Sequence, residues 1–145
     1  MKRLVDKVAV VTGGNSGIGF AIAQAFVAEG AHVLLVGRRP DAVEDAVKAL
    51  GAQAIGLAGD VADLATHDRI AAMVADRFGG ADIYVANAGI NRIQNSADVT
   101  PEDFDAQFAT NARATFFGVQ KIAPLLRKGG AILLTSSIAT HKAQA

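Results

Sequence analysis

The 145-residue chain has the length of one domain, and 51% of its residues are hydrophobic, which is enough to form a core. Its 14 Lys and Arg residues balance 14 Asp and Glu residues, so its charge argues against nucleic acid as a partner. The absence of cysteine excludes disulfides, and no apolar run approaches the roughly 20 residues of a membrane span. We therefore expect a cytoplasmic protein without a membrane segment.

Apolar runs alternate along the chain with amphipathic stretches, which predicts alternating strands and helices. Strands are predicted at 7–12, 32–36, 53–57, 82–86 and 131–135, the last after a turn at Gly129-Gly130. Helices are predicted at 17–29, 41–50, 64–78 and 101–127. The first should bury Ile18, Ile22, Ala25 and Phe26, and the last should be broken near Asn111 and bent near Pro124. The pattern predicts an α/β fold with a doubly wound parallel sheet and helices on both faces.

A glycine-rich segment, from Thr12 to Gly19, joins the first predicted strand to the first predicted helix. Glycine permits positive φ and leaves no Cβ between backbone and ligand, while the helix start presents free N–H groups to an anion. The segment is therefore predicted to hold the pyrophosphate of a dinucleotide, through Gly13, Asn15, Ser16, Gly17, Ile18 and Gly19. A mononucleotide P-loop is disfavoured because Phe20 and Ala21 stand where Lys and Ser/Thr should follow. An ordinary glycine turn without a ligand is the alternative.

The other predicted strands also end in small, polar or charged residues. Because ligands of such sheets bind beyond the carboxyl ends of the strands, we expect one continuous cleft there. An acidic residue about 20 positions past the glycines would bond the ribose of NAD(H), but Gly37 stands there, before Arg38 and Arg39. Arginine suits a phosphate, so NADP(H) is favoured and NAD(H) is the second choice, unless both arginines are solvated surface charges.

Two further strand ends carry side chains that have more than one interpretation. Asp60 can accept a hydrogen bond from the adenine amino group, or it can cap the next helix, a role that Asp63 fills at least as well. Asn87 can contact a cofactor, or it can bond the backbone of a neighbouring strand. Gly89 leaves room for the backbone to approach a cofactor.

Four segments together make the sequence resemble the short-chain dehydrogenase/reductase family over the whole chain. They are Thr12 to Gly19, Asn87-Ala88-Gly89, Asn111 and Ser136-Ser137. The resemblance implies a Rossmann-type, NAD(P)-binding domain over residues 1–145. It implies hydride transfer between the nicotinamide cofactor and a carbonyl or alcohol substrate, in a homodimer or homotetramer. It also implies roles for particular residues: Ser137 bonds the substrate oxygen, Asn111 supports a proton relay, Asp60 and Val61 contact adenine, and Arg38 selects NADP(H).

One feature of that family is missing from the sequence. The family's proton donor is the tyrosine of a Tyr-x-x-x-Lys motif, whereas the one tyrosine here, Tyr84, lies in a predicted strand and has no lysine four positions later. We expect Tyr84 to be a core residue, the sheet to be truncated after its fifth strand, and residues 1–145 alone to be inactive. The exposed fifth strand should then favour aggregation or association.

Other functions fit the sequence less well. A non-catalytic dinucleotide-binding module, acting as a sensor or scaffold, is the main alternative. A serine hydrolase is disfavoured because Ser137 does not lie in a G-x-S-x-G turn. A metal enzyme is disfavoured because the three histidines are scattered and cysteine is absent.

Overall fold

The computed structural model describes residues 1–137, in which a parallel sheet lies between two layers of helices. The strands are β1 (Val8–Thr12), β2 (His32–Gly37), β3 (Ala54–Ala58), β4 (Ala81–Ala86) and β5 (Leu126–Leu134). The α-helices are α1 (Gly17–Ala28), α2 (Pro40–Leu50), α3 (Leu64–Phe78), α4 (Pro101–Phe108) and α5 (Ala114–Ile122). A π-helical turn, Ala109–Arg113, joins α4 to α5, and a 3₁₀ turn, Ala123–Leu125, follows α5.

The strand order is β3-β2-β1-β4-β5, and every pair of neighbouring strands is parallel. The chain builds the sheet outward from β1 to β3, returns to place β4 on the other side of β1, and then adds β5 beyond it. This reversal between β1 and β4 is the point at which doubly wound sheets open a crevice for ligands. The prediction of an α/β doubly wound parallel sheet is confirmed.

Two apolar layers cover the sheet, one on each face, because successive strand residues point to opposite sides. Val10 and Leu34 pack toward Ile70 and Val74 of α3. Their neighbours in the strands pack toward α1 and α2, where Ala23, Val43 and Ala46 are buried. Burial on both faces explains why the strands read as continuous apolar runs rather than alternating ones.

The C-terminal end of the sheet differs from the prediction. Helical backbone ends at Leu125 rather than near Arg127, and β5 begins at Leu126 rather than Ala131. Gly129 (φ 83°) and Gly130 lie inside the strand, where the register with β4 is irregular, and do not form a separate turn. The predicted break near Asn111 is confirmed as the π-helical turn. Among the described residues, β5 pairs only with β4 and is an exposed edge strand.

The inner face of α1 agrees with the prediction in part, since Ile22 and Phe26 pack against the core. Gly19 and Ala23 are its buried residues, whereas Ala25 is exposed and Ile18 is 67% exposed. Gly19 takes the inner position because the helix packs there against the loop that precedes it: a Cβ on Gly19 would lie 2.1 Å from the Gly13 carbonyl oxygen. Ile18 is thereby turned outward.

Candidate functional site

A cleft of about 730 Å³ opens at the carboxyl ends of the strands. Its walls come from the β1–α1 loop, the ends of β2, β3 and β4, and the residues that follow β5. Eleven of the thirteen residues predicted to bind the cofactor line it: Gly13, Asn15, Ser16, Ile18, Arg38, Arg39, Asp60, Val61, Asn87, Ala88 and Gly89. The other two, Gly17 and Gly19, shape the loop behind it. The structure thus brings these eleven predicted residues together from four separate segments of the sequence.

The β1–α1 loop and the start of α1 need glycine at positions 13, 17 and 19 for two different reasons. Gly13 and Gly17 have φ values of 65° and 53°, in the left-handed region that favours glycine. Gly19 is required by contact instead, since a Cβ there would also lie 2.6 Å from the Asn87 side-chain nitrogen. The loop is therefore held close to the end of β4, and its backbone is free to approach a ligand from the cleft side.

The N-terminus of α1 is left open toward the cleft. Its N-cap residue, Ser16, makes no side-chain capping bond, and its first turn carries no acidic residue. By contrast, Asp63 caps α3 by accepting from the Ala65 N–H (3.1 Å), and Thr100 caps α4 by accepting from the Asp103 N–H (3.2 Å). An uncapped helix start presents unpaired N–H groups and positive potential, which suit an anion.

Two arginines stand at the end of β2. Arg38 and Arg39 are exposed, line the cleft, and have no ion-pair partner within residues 1–137. Gly37, just before them, is covered by the Asn15 carboxamide, and a Cβ at that position would lie 2.2 Å from Asn15 Oδ1. No larger residue, and so no acidic one, fits at position 37 without displacing Asn15, and Arg38 and Arg39 give this part of the cleft its positive charge.

The end of β3 decides which aspartate caps the next helix. Asp63 is the N-cap of α3, as expected. Asp60 accepts from the Ala62 N–H through Oδ1 (2.9 Å), remains exposed, and lines the cleft with Val61. The Asp60 carboxylate is therefore accessible from the cleft.

Hydrogen bonds tie the carboxyl ends of β1, β4 and β5 together. Thr12 Oγ1 accepts from the N–H groups of Asn87 (3.0 Å) and Ala88 (3.1 Å) and donates to the Val85 carbonyl (3.3 Å). Asn87 Oδ1 accepts from Thr135 Oγ1 (3.2 Å), and its Nδ2 approaches the Gly13 carbonyl at 3.5 Å. Asn87 thus bonds neighbouring segments and also lines the cleft.

Several residues of the cleft were not among the sequence candidates. Val36, Gly37, Gly59, Ile90, Thr110 and Thr135 also line it. Their position could have been found from the sequence, because four of them directly adjoin the polar strand ends that were singled out. Thr12 gave a further signal, as a hydroxyl residue that ends a buried apolar strand.

The two predicted catalytic residues lie in different segments, Asn111 in the π-helical turn between α4 and α5 and Ser137 beyond the end of β5. Asn111, in the π-helical turn, donates to the Ile90 carbonyl (2.8 Å) and accepts from the Ile90 N–H (2.9 Å). It fixes the segment after β4 without itself lining the cleft, although its neighbour Thr110 does. Ser137 is the last described residue, exposed, and two positions beyond Thr135. Neither position tests the catalytic roles.

Tyr84 is a core residue, as expected from the sequence. It is 1% exposed in the middle of β4, and burial raises the pKa of its hydroxyl to about 12. Such a group stays protonated at neutral pH and cannot exchange protons with a substrate from the core. Among residues 1–137 no group of His, Asp and Glu side chains is placed to hold a metal ion, and no helix has the length and apolar character to cross a bilayer.

Comparison with known proteins agrees with this geometry. The family model described as short chain dehydrogenase matches residues 7–145. The oxidoreductase asL5 of Sarocladium schorii is 41% identical over 94% of this chain and 56% of its own length. Versicolorin reductase 1 of Aspergillus parasiticus is 40% identical over 93% of this chain and 53% of its own length. The chain therefore spans about half the length of the curated relatives it matches.

Solved structures show the same fold. A short chain dehydrogenase from Burkholderia cenocepacia, in complex with NADP, superposes with a TM-score of 0.92 at 40% identity, covering 99% of this chain and 60% of that one. A short-chain dehydrogenase/reductase from Brucella melitensis superposes with a TM-score of 0.94 at 27% identity, covering 97% of this chain and 61% of that one. By sequence and by fold, this chain belongs to the short-chain dehydrogenase family of oxidoreductases.

Proposed function

We propose that the cleft binds NADP(H) and that the protein uses it to transfer hydride to or from a carbonyl or alcohol substrate. The observation that carries the proposal is that the uncapped start of α1 and the unpaired arginines 38 and 39 share one cleft. Two separated positive sites fit a ligand with two separated anionic groups, here a pyrophosphate and a 2′-phosphate. The relative from Burkholderia cenocepacia, solved with NADP, supports the same choice.

Each part of the cleft fits one part of such a cofactor. The β1–α1 loop and the start of α1 would hold the pyrophosphate, and Arg38 and Arg39 would hold the 2′-phosphate. Asp60 and Val61 would contact the adenine, and Asn87, Ala88 and Gly89 would face the remainder. When bound, the cofactor supplies or accepts the hydride, and the protein contributes orientation and charge. We propose that residues 1–145 form one dinucleotide-binding domain.

The catalytic proposal follows the family resemblance. Ser137 would donate a hydrogen bond to the substrate oxygen, and Asn111 would hold the segment at Ile90 and support a proton relay. Tyr84 is unsuited to be the proton donor, because it is buried and has a pKa of about 12. We therefore propose that residues 1–145 alone bind the cofactor but turn over no substrate.

Calorimetric titration tests the cofactor assignment. We expect NADPH to bind at least tenfold more tightly than NADH. Arg38→Ala should weaken NADPH binding by roughly tenfold or more, since a charged hydrogen bond contributes about 1.5–3 kcal/mol, and should leave NADH binding unchanged. Arg77→Ala is the matched control, because it removes an exposed arginine from the last turn of α3. Tighter binding of NADH would overturn the preference, and uptake of neither coenzyme would overturn the proposal.

Turnover is tested separately from binding. NADPH absorbance is followed with a panel of ketones and aldehydes, for the chain alone and for its complete gene product, with Ser137→Ala as the inactive variant. Cofactor binding without turnover in the complete product would favour a non-catalytic sensor or scaffold instead.

We also propose that the protein is a homodimer or homotetramer. Phe104 and Phe108 of α4 stack on each other at the surface, with ring centroids 4.4 Å apart, and Phe116 of α5 is exposed as well. Exposed aromatic side chains in such number are typical of an association surface. Sedimentation velocity measures the oligomeric state, and a monomer at micromolar concentration would contradict the proposal.

A further inference from the structure

The loop that follows β3, here called the β3–α3 loop (residues 59–63), forms one wall of the cleft through Gly59, Asp60 and Val61. Side chains from behind the wall hold the backbone of this region. Three of them donate to carbonyl oxygens at or next to the loop: Arg69 to Ala58 (2.8 Å), His67 to Val61 (2.9 Å) and Arg113 to Ala62 (3.2 Å). The wall that faces a ligand is thus fixed from its other side.

His67 differs from the two arginines because it is buried. Only 2% of its surface is exposed, whereas Arg69 and Arg113 lie at the surface. A carbonyl oxygen can only accept, so Nε2 of His67 carries the proton that is donated to Val61. Within the described residues, Nδ1 has no hydrogen-bond partner. The ring is therefore oriented by a single bond, and that bond ends on a residue of the cleft.

Packing leaves the His67 ring little freedom to turn away from Val61. A Cβ on Gly118 of α5 would lie 3.1 Å from both Nδ1 and Cε1 of His67, which places the ring directly against that helix. Tyr84 and Val61 border the same small cavity of about 10 Å³. With α5 behind the ring and the loop in front of it, the position of the Val61 carbonyl follows the position of His67.

We propose that His67 is a positioning residue for the adenine end of the cleft: its Nε2–H fixes the Val61 carbonyl and thereby the wall against which adenine binds. The inference rests on the proposed function and deepens it. A core histidine with no role beyond packing would affect stability alone. A positioning residue affects affinity, and only for ligands that contain adenine.

Two substitutions and two fragments separate these roles. His67→Met replaces the ring by an apolar side chain of similar size and removes the donor, whereas His67→Gln retains an N–H at a similar reach. We expect His67→Met to weaken binding of NADPH and of adenosine 2′,5′-bisphosphate by about five- to tenfold, the effect of one lost hydrogen bond. Binding of nicotinamide mononucleotide should not change, and His67→Gln should restore most of the affinity.

Val74→Ala is the matched control, because Val74 is buried two turns further along α3 and its truncation lowers stability while it removes none of the three hydrogen bonds to the loop region. Equal weakening of both fragments by His67→Met, or equal weakening of adenosine 2′,5′-bisphosphate by Val74→Ala, would overturn the inference. Unchanged affinity of His67→Met for adenosine 2′,5′-bisphosphate would also overturn the inference about His67. The proposed function would still stand in that case, provided that the wild-type chain binds NADPH. No NADPH binding by the wild-type chain would overturn both.

A measurement on the wild-type chain avoids any loss of folding in the variants. The ¹⁵N resonance of His67 Nε2 reports its hydrogen bond to Val61. We expect adenosine 2′,5′-bisphosphate to shift this resonance and nicotinamide mononucleotide to leave it in place. A resonance that ignores the adenine-containing fragment at saturation would show that the wall and the ring are not coupled.

Discussion

Replacing Asp82 by Asn should destabilise the fold more than the same change at an exposed carboxylate such as Asp68. Asp82 is the second residue of β4, and its side chain is only 10% exposed. Oδ2 accepts from the Val8 N–H (2.9 Å) and from Arg127 (2.7 Å), and Oδ1 accepts from Lys7 (3.2 Å). The carboxylate therefore links the starts of β1 and β4 to the first part of β5.

The magnitude follows from these contacts. An Asn side chain keeps one acceptor but turns an NH₂ group toward a donor, so at least one hydrogen bond to a charged group is lost. Such bonds contribute about 1.5–3 kcal/mol each. Lys7 and Arg127 are 52% and 38% exposed, so water solvates both when the carboxylate is removed, which limits the loss. We expect the free energy of unfolding to fall by about 2 kcal/mol and Tm to fall by about 6 °C.

The pH dependence of this loss has a definite sign. Burial opposes ionisation of Asp82, but the bonds from Val8, Lys7 and Arg127 outweigh it and hold its pKa below the ordinary value of 3.8. A lowered pKa in the folded state gives stability that is complete above the unfolded pKa, about 3.9, and is lost as pH falls through the folded pKa. The difference between wild type and Asp82→Asn should therefore be full near neutrality and shrink below about pH 4.

Urea unfolding followed by circular dichroism measures this difference. Asp68→Asn is the matched control, because Asp68 forms an ion pair with Lys121 in which both side chains are well exposed, and such pairs contribute only about 0–1 kcal/mol. Equal losses in Asp82→Asn and Asp68→Asn, or a difference that grows on acidification, would refute the reasoning.

Two further predictions concern glycines. Gly19→Ala should abolish NADPH binding and lower stability by about 1–3 kcal/mol, because its Cβ would overlap the Gly13 carbonyl. The alanine of Gly89→Ala makes only ordinary contacts, so that variant should fold with unchanged Tm. Calorimetry and thermal melting compare the two variants, and unaltered NADPH binding in Gly19→Ala would show that the loop accepts a Cβ at this position. Gly118→Ala should lower the free energy of unfolding by about 1–2 kcal/mol, because its Cβ would lie 2.2 Å from the Tyr84 hydroxyl oxygen. Adding Tyr84→Phe should recover most of that loss in a double-mutant cycle, whereas additive effects of the two substitutions would contradict the contact.

The sequence predicted the parts of the fold that depend on local signals. The bounds of α3 are those expected, because a capping Asp63 and the terminal Gly79 mark its two ends. The start of β5 was wrong because its cause is distant in the sequence. Arg127 reads as the end of a helix, but it bonds Asp82 and the Phe78 carbonyl, 45 and 49 positions away, and these contacts draw it into the sheet.

The same distinction holds at the candidate site. The location of the cleft was predictable, because parallel strands bring their carboxyl ends to one edge and the polar residues there are visible in the sequence. The contacts that hold the cleft wall were not. Arg113 and Ala62 are 51 positions apart in the sequence. The hydrogen bond of His67 ends on the backbone carbonyl of Val61, and the periodicity of side chains gives no information about such a bond. The prediction that Ile18 is buried was wrong, because helical spacing alone does not show that Gly19 must face the loop.

Hydrogen bonds at the two ends of the strands together fix the geometry of the cleft. At the amino ends Asp82 joins β1, β4 and β5 by charged hydrogen bonds. At the carboxyl ends Thr12 and Asn87 join the same three strands. Between these ends β1 and β4 are apolar and largely buried, so side-chain packing alone tolerates small shifts of one strand along the other. Hydrogen bonds at both ends do not tolerate them, because a shift of one residue would break both sets. The register of β1 against β4, on which the glycine loop and Asn87 depend, is thus specified by polar groups that lie outside the core.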